Sequence, residues 1–100
     1  DQAYVDNYVS EVLIARDWIQ KELLKTKIRH HMEAGNYFLL WPNHNVTKIE
    51  SSLRSEGILV RSMKGKTLIN GALRVSIGTP SQMKRFWEVY KVVDKINVVN

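Results

Sequence analysis

The chain has 100 residues, 44% of them hydrophobic and nine of them aromatic, which is enough for one buried core and argues against intrinsic disorder. Its 15 basic and 10 acidic residues give a formal charge of +5, compatible with nucleic acid, acidic membrane surfaces or anionic small ligands. The lack of cysteine excludes disulfides, thiolate catalysis and cysteine-ligated metals and fits a cytoplasmic setting; no apolar run approaches the roughly 18 residues of a membrane span, and the N-terminus lacks signal-peptide character.

The chain opens at Asp1 without a methionine and enters a helical pattern almost at once, from which a single domain over residues 1–100, cut from a longer protein, is expected. From Tyr4 to Thr26, Val5, Val9, Val12, Ile19 and Leu23 follow helical spacing with Tyr8, Leu13 and Trp18 beside them, leaving Glu11, Arg16, Gln20 and Lys21 outward. Lys27 to Ala34 alternates with Ile28, His30 and Met32 on one side. The compact apolar run Tyr37 to Trp41, set between Gly35-Asn36 and Pro42, reads as a buried strand. Asn43 or Asn45 can cap a helix from Val46 to Glu56 whose apolar positions are Val46, Ile49 and Leu53, with Gly57 as its stop. Strands are expected at Ile58 to Met63 and Ala72 to Gly78, joined by the basic turn Lys64-Gly65-Lys66 and an irregular stretch. Thr79-Pro80-Ser81-Gln82 combines a capping hydroxyl, a proline at the first helical position and a glutamine three residues after the cap. The helix it starts runs to about Ile96, with Met83, Phe86, Trp87, Tyr90 and Val93 on its apolar face. The element order predicts an α+β fold, a small mixed or antiparallel sheet with helices on one face.

Two arginines stand out. Alternation places Arg61 opposite in direction to Ile58 and Val60, and Arg74 opposite to Leu73, Val75 and Ile77. If the two strands are neighbours with their apolar faces on the same helices, both arginines emerge from the other sheet face and can clamp a carboxylate or phosphate through paired charge-assisted hydrogen bonds. The plainer alternative is two solvated arginines on a half-exposed sheet.

Other chemistry-bearing strings have structural explanations. His30, His31 and His44 lack zinc-ligand spacing, and no metal ligands are expected. Ser81 and Lys84 form an S-x-x-K string without its companion motifs, and Asn45-Val46-Thr47, a formal glycosylation acceptor, reads as a helix start. Lys64 and Lys66 with Arg61 mark either a phosphate-contacting loop or a solvated hairpin tip. Trp18, Trp41 and Trp87 read as core or interface residues rather than base-stacking platforms.

Taken in order, Gly35-Asn36-Tyr37-Phe38-Leu39-Leu40, then Leu53 with Gly57-Ile58-Leu59-Val60-Arg61, then Leu73-Arg74-Val75-Ser76-Ile77-Gly78-Thr79, resemble the C-terminal small domain of fold-type I pyridoxal-phosphate-dependent aminotransferases, most of all the histidinol-phosphate aminotransferase subgroup. The resemblance covers nearly the whole chain. It implies that Arg74 grips the carboxylate or equivalent anionic end of an amino-acid-like substrate and that Arg61 assists on a phosphate-bearing one. It further implies a homodimeric parent enzyme whose cofactor, pyridoxal phosphate, is bound mainly by a large domain outside this chain, so that no catalytic or cofactor-binding residue falls here and the fragment alone is inactive. The helix start Pro80-Ser81-Gln82-Met83 departs from the acidic-asparagine sequence frequent in that subgroup. Other readings stay open: a phosphothreonine-decarboxylase-like enzyme on the same scaffold, a freestanding basic module for RNA or DNA, and a docking or dimerisation domain using an exposed sheet face.

Overall fold

A computed structural model describes residues 2–33 and 35–96, with side chains from residue 8 onward. The elements are α1 (Gln2–Leu24), β1 (Arg29–Met32), β2 (Tyr37–Trp41), α2 (Val46–Ser55), β3 (Val60–Ser62), β4 (Leu73–Ser76) and α3 (Pro80–Val93). The four strands form one fully antiparallel sheet in the order β1-β2-β4-β3. Strands β2 and β3 therefore run the same way, joined through α2 with β4 inserted between them. That is a split β-α-β unit.

Alternation sorts the sheet residues into two faces. Phe38, Leu40, Val60, Leu73 and Val75 point to one side, where they meet Ala15, Ile19 and Leu23 of α1, Ile49 and Leu53 of α2, and Met83, Phe86, Trp87 and Tyr90 of α3. All three helices thus share one core on one sheet face, as expected from the sequence. The other face carries a smaller cluster, Leu39, Met63 and Ala72 with Tyr37, Trp41 and Ile69 packed against it. This cluster explains why Phe38, Leu39 and Leu40 are all buried: β2 is covered on both sides.

The helix ends follow their local chemistry. Asn45, the second of the two expected caps, accepts the N–H groups of Thr47 and Lys48. At the other end of α2, Gly57 at φ 77° lets its own N–H reach Arg54 O and the Ile58 N–H reach Leu53 O, a Schellman closure. Thr79 and Gln82 form the expected reciprocal capping box at α3. A Cβ on Gly78 would fall on the Gln82 Oε1 that receives the Thr79 N–H, so a side chain there would displace that arm of the capping box.

Three expectations are corrected. Tyr8, Val9 and Leu13 are half or more exposed, because residues 8–11 of α1 run past the core and only Val12, Ala15, Trp18, Ile19 and Leu23 have packing beneath them. Helix α3 stops at Val93, with Asp94 as its C-cap and Ile96 packed beyond the helix. The strands are shorter than their alternating runs. The side chain of Val5, and Ala34, lie outside the described residues.

The fully buried Asp94 ties two distant parts of the chain together. Its carboxylate accepts the Tyr90 hydroxyl at 2.6 Å, the Asn43 N–H at 2.9 Å and the His44 N–H at 3.0 Å, and lies 2.8 Å from His44 Nδ1. The turn after β2 is thereby held to the end of α3. Strand β3, at the sheet edge, is tied similarly: Glu50 accepts the Ser62 N–H at 2.6 Å, and Arg54 donates to Val60 O at 3.2 Å.

Asp94→Ala strands the buried Tyr90 hydroxyl, at roughly 1–3 kcal/mol, and removes two bonds to the more exposed N–H groups of Asn43 and His44, so urea denaturation should show a loss of about 2 kcal/mol or more. Burial first, and then the hydrogen bond and charge of Asp94, push the Tyr90 phenol far above its ordinary value of 10.0. The folded protein keeps that proton where the unfolded chain releases it. This contribution is complete below about pH 10 and falls by about 1.4 kcal/mol per pH unit above it. Unfolding measured from pH 9 to 11 should fall more steeply for the wild type than for Tyr90→Phe.

Candidate functional site

In the register of β3 and β4, Val60 faces Val75, Arg61 faces Arg74 and Ser62 faces Leu73. The valines enter the core, and the two arginines therefore leave the sheet together on the face away from the helices. Directly opposed residues of an antiparallel ladder sit about 4.5–5.5 Å apart at Cα. Like charges so placed repel and cost stability unless an anion joins them. Among the described residues, no ion pair or side-chain hydrogen bond engages Arg61 or Arg74.

The arginines line a shallow cleft of about 310 Å³ together with Arg54, Leu59, Val60 and Ser76. Three guanidinium groups and one hydroxyl border it, with no carboxylate. Such a donor set suits carboxylate or phosphate oxygens. A larger cavity of about 550 Å³ adjoins it, sharing Leu59 and Ser76 and bounded also by Ile58, Gly78 and Met83.

Each arginine is supported differently. Arg74 Cζ lies 4.3 Å from the centre of the Tyr37 ring, which drapes the guanidinium toward β2. Arg61 stands on the opposite neighbour of β4, so docking on Tyr37 turns the Arg74 head away from the strand that carries Arg61. Farther along the same face, Arg29 lies 4.0 Å over the Trp41 ring. Both aromatic rings of this face are thus already covered by guanidinium groups.

The other sequence candidates are scattered. Lys64 and Lys66 sit on an exposed turn closed by Gly65 N–H to Asn70 and do not line the cleft. His30 approaches the Ile28 carbonyl and His44 joins Asp94, and among the described residues no three His, Asp or Glu side chains gather as metal ligands. Ser81 meets Thr79 at the α3 cap, while Lys84 leans toward Trp18. Trp87 is core, and Trp18 and Trp41 pack at the margins of the two clusters. The sequence reading missed Arg54, Tyr37 and Ser76. Tyr37 belongs to a run that is apolar at every position, and only the β2–β4 pairing places it on the arginine face.

No family model matches the chain. Curated relatives do: histidinol-phosphate aminotransferase 1 of Pseudomonas fluorescens is 31% identical over 83 residues, 82% of this chain and 23% of that protein. The histidinol-phosphate aminotransferase of Thermosynechococcus vestitus is 36% identical over 84 residues, covering 80% and 21%. That of Clostridium botulinum is 30% identical over 98 residues, covering 96% and 27%. The chain is thus similar to the histidinol-phosphate aminotransferases. It resembles these aminotransferases along most of its own length, yet spans only about a quarter of theirs. Among the described residues, no helix is long and apolar enough to cross a membrane.

If the facing arginines are held together for a ligand rather than for the fold, removing one should stabilise the unliganded domain. Arg61→Gln should raise the unfolding free energy by a few tenths to about 1 kcal/mol at low salt, and 0.5 M salt, an ionic strength between the roughly 10 Å and 3 Å screening regimes, should shrink the gain. Thermal melts at the two ionic strengths check this.

Proposed function

We propose that this chain is the C-terminal small domain of a pyridoxal-phosphate-dependent aminotransferase and that it supplies the grip on the anionic end of the substrate. Arg74 holds a carboxylate or equivalent group, and Arg61 assists when the substrate bears a phosphate. One observation carries this reading: the two arginines are register partners that open onto a cleft bordered by cations and no carboxylate. The relatives are named for histidinol phosphate, which presents a phosphate ester of the kind such a donor set favours.

The cleft residues do not fit the cofactor itself. Arginines, a serine and aliphatic side chains line it, with no lysine amine to carry a Schiff base. The cofactor's amino-transfer chemistry is accordingly assigned to the longer protein, which would work as a homodimer in the cytoplasm, and this chain alone would be inactive. Its part is to bind, orient and shield: a fixed guanidinium positions the substrate, and closing the domain over it removes water. A nucleic-acid-binding reading is less well supported, since the rings of Tyr37 and Trp41 that could stack on bases already carry Arg74 and Arg29.

In the full-length protein, Arg74→Ala should remove charge-assisted hydrogen bonds worth roughly 1.5–3 kcal/mol, lowering kcat/KM about 10- to 150-fold. Steady-state kinetics with histidinol phosphate and a panel of amino donors would measure it. Unchanged kinetics with every donor would overturn the assignment.

A further inference from the structure

The stacking of Arg74 on Tyr37 has a counterpart in the cleft's shape. Tyr37 lies opposite Ser76 and beside the Leu39–Arg74 pair, so its ring sits diagonally from Arg74 on the arginine face. It is half-buried, packed against the small cluster of Leu39, Met63 and Ala72, and cannot follow the guanidinium if that group swings. Among the described residues, this ring, 4.3 Å from Cζ, is the fixed partner of the Arg74 head. Without it, repulsion from Arg61 and a flexible side chain would leave the guanidinium dispersed in water. A head already docked on a rigid face loses less freedom when it takes up an anion.

We propose that Tyr37 is a positioning residue: its ring holds the Arg74 guanidinium over the β2 side of the sheet, keeping the gap to Arg61 open and pre-organising the clamp for a substrate carboxylate or phosphate. The proposal rests on the reading of Arg74 as a substrate ligand. It assigns the ring face, and not the hydroxyl, because the contact is made by Cζ over the ring centre. Tyr37→Leu retains apolar bulk against the small cluster while removing the stacking face, and Tyr37→Phe retains both.

The test uses the full-length protein with bound cofactor, measuring KM and kcat for the amino donor together with the Kd of succinate, a non-reacting dicarboxylate, by titration calorimetry. Tyr37→Leu should raise KM and Kd by about 2- to 30-fold with kcat at saturation unchanged, the range that loss of one cation–π contact converts to. Tyr37→Phe should stay within about twofold of the wild type, since the ring face is intact. In an Arg74→Ala background, Tyr37→Leu should add nothing further. If Arg74→Ala raises KM and Kd while Tyr37→Leu leaves both unchanged, or adds its full effect in the Arg74→Ala background, the positioning role is wrong although the clamp stands. If Arg74→Ala itself changes neither value, the clamp reading falls and this role with it.

Discussion

The pairing of β3 with β4 at Val60–Val75 is the constraint on which the site depends. Side chains alternate along a strand, so a slip of one residue would turn Arg61 into the core and Val60 into water. Several contacts hold the register. Val60 and Val75 fill the space beneath α2 and α3, Glu50 and Arg54 take the outward backbone groups of Ser62 and Val60, and the Met63 N–H reaches Ala72 O at 2.8 Å beyond the strand ends. Helix α2 thus does more than bury Ile49 and Leu53. It fixes the edge strand that carries one arginine, while β4, between two partners, carries the other.

The sheet uses its two faces unequally. Toward the helices it is apolar and closed. On the other side, a small cluster of Leu39, Met63 and Ala72 lies under the β3–β4 connection, with cationic side chains around it. That cluster gives the open face a rigid floor and fixes the rings of Tyr37 and Trp41 beside it. Binding groups on a rigid sheet lose less entropy on capture than the same groups on a loop.

Much of this was legible where sequence punctuation is strong. Thr79, Pro80 and Gln82 mark a helix start by chemistry that needs no tertiary partner, and Gly57 marks a stop for the same reason. The alternation around Arg61 and Arg74 was enough to assign each arginine a face; that they face each other depended on register. Other features are tertiary and left little trace in the sequence. Tyr8, Val9 and Leu13 have helical spacing as good as that of Ile19, but spacing reports a stripe and not whether anything lies beneath it. The run Tyr37 to Trp41 is apolar at every position, so it hid the division between core and open face. Asp94 carried no signal in the sequence, because its partners Asn43 and His44 lie some fifty positions earlier in the chain. Arg54 gave no sign of nearing the cleft, since its approach depends on how α2 crosses β3.

The treatment of the β3 edge bears on how copies of this chain meet one another. An edge strand with free N–H and C=O groups is a template for another strand. Here the outward Ser62 N–H and Val60 carbonyl are already occupied by side chains of the neighbouring helix, one acidic and one basic. A second copy would have to break both bonds before a ladder could form on that side. Crowded molecules are therefore steered away from sheet-to-sheet extension through β3, and like-charged arginine faces would keep them from stacking over the cleft.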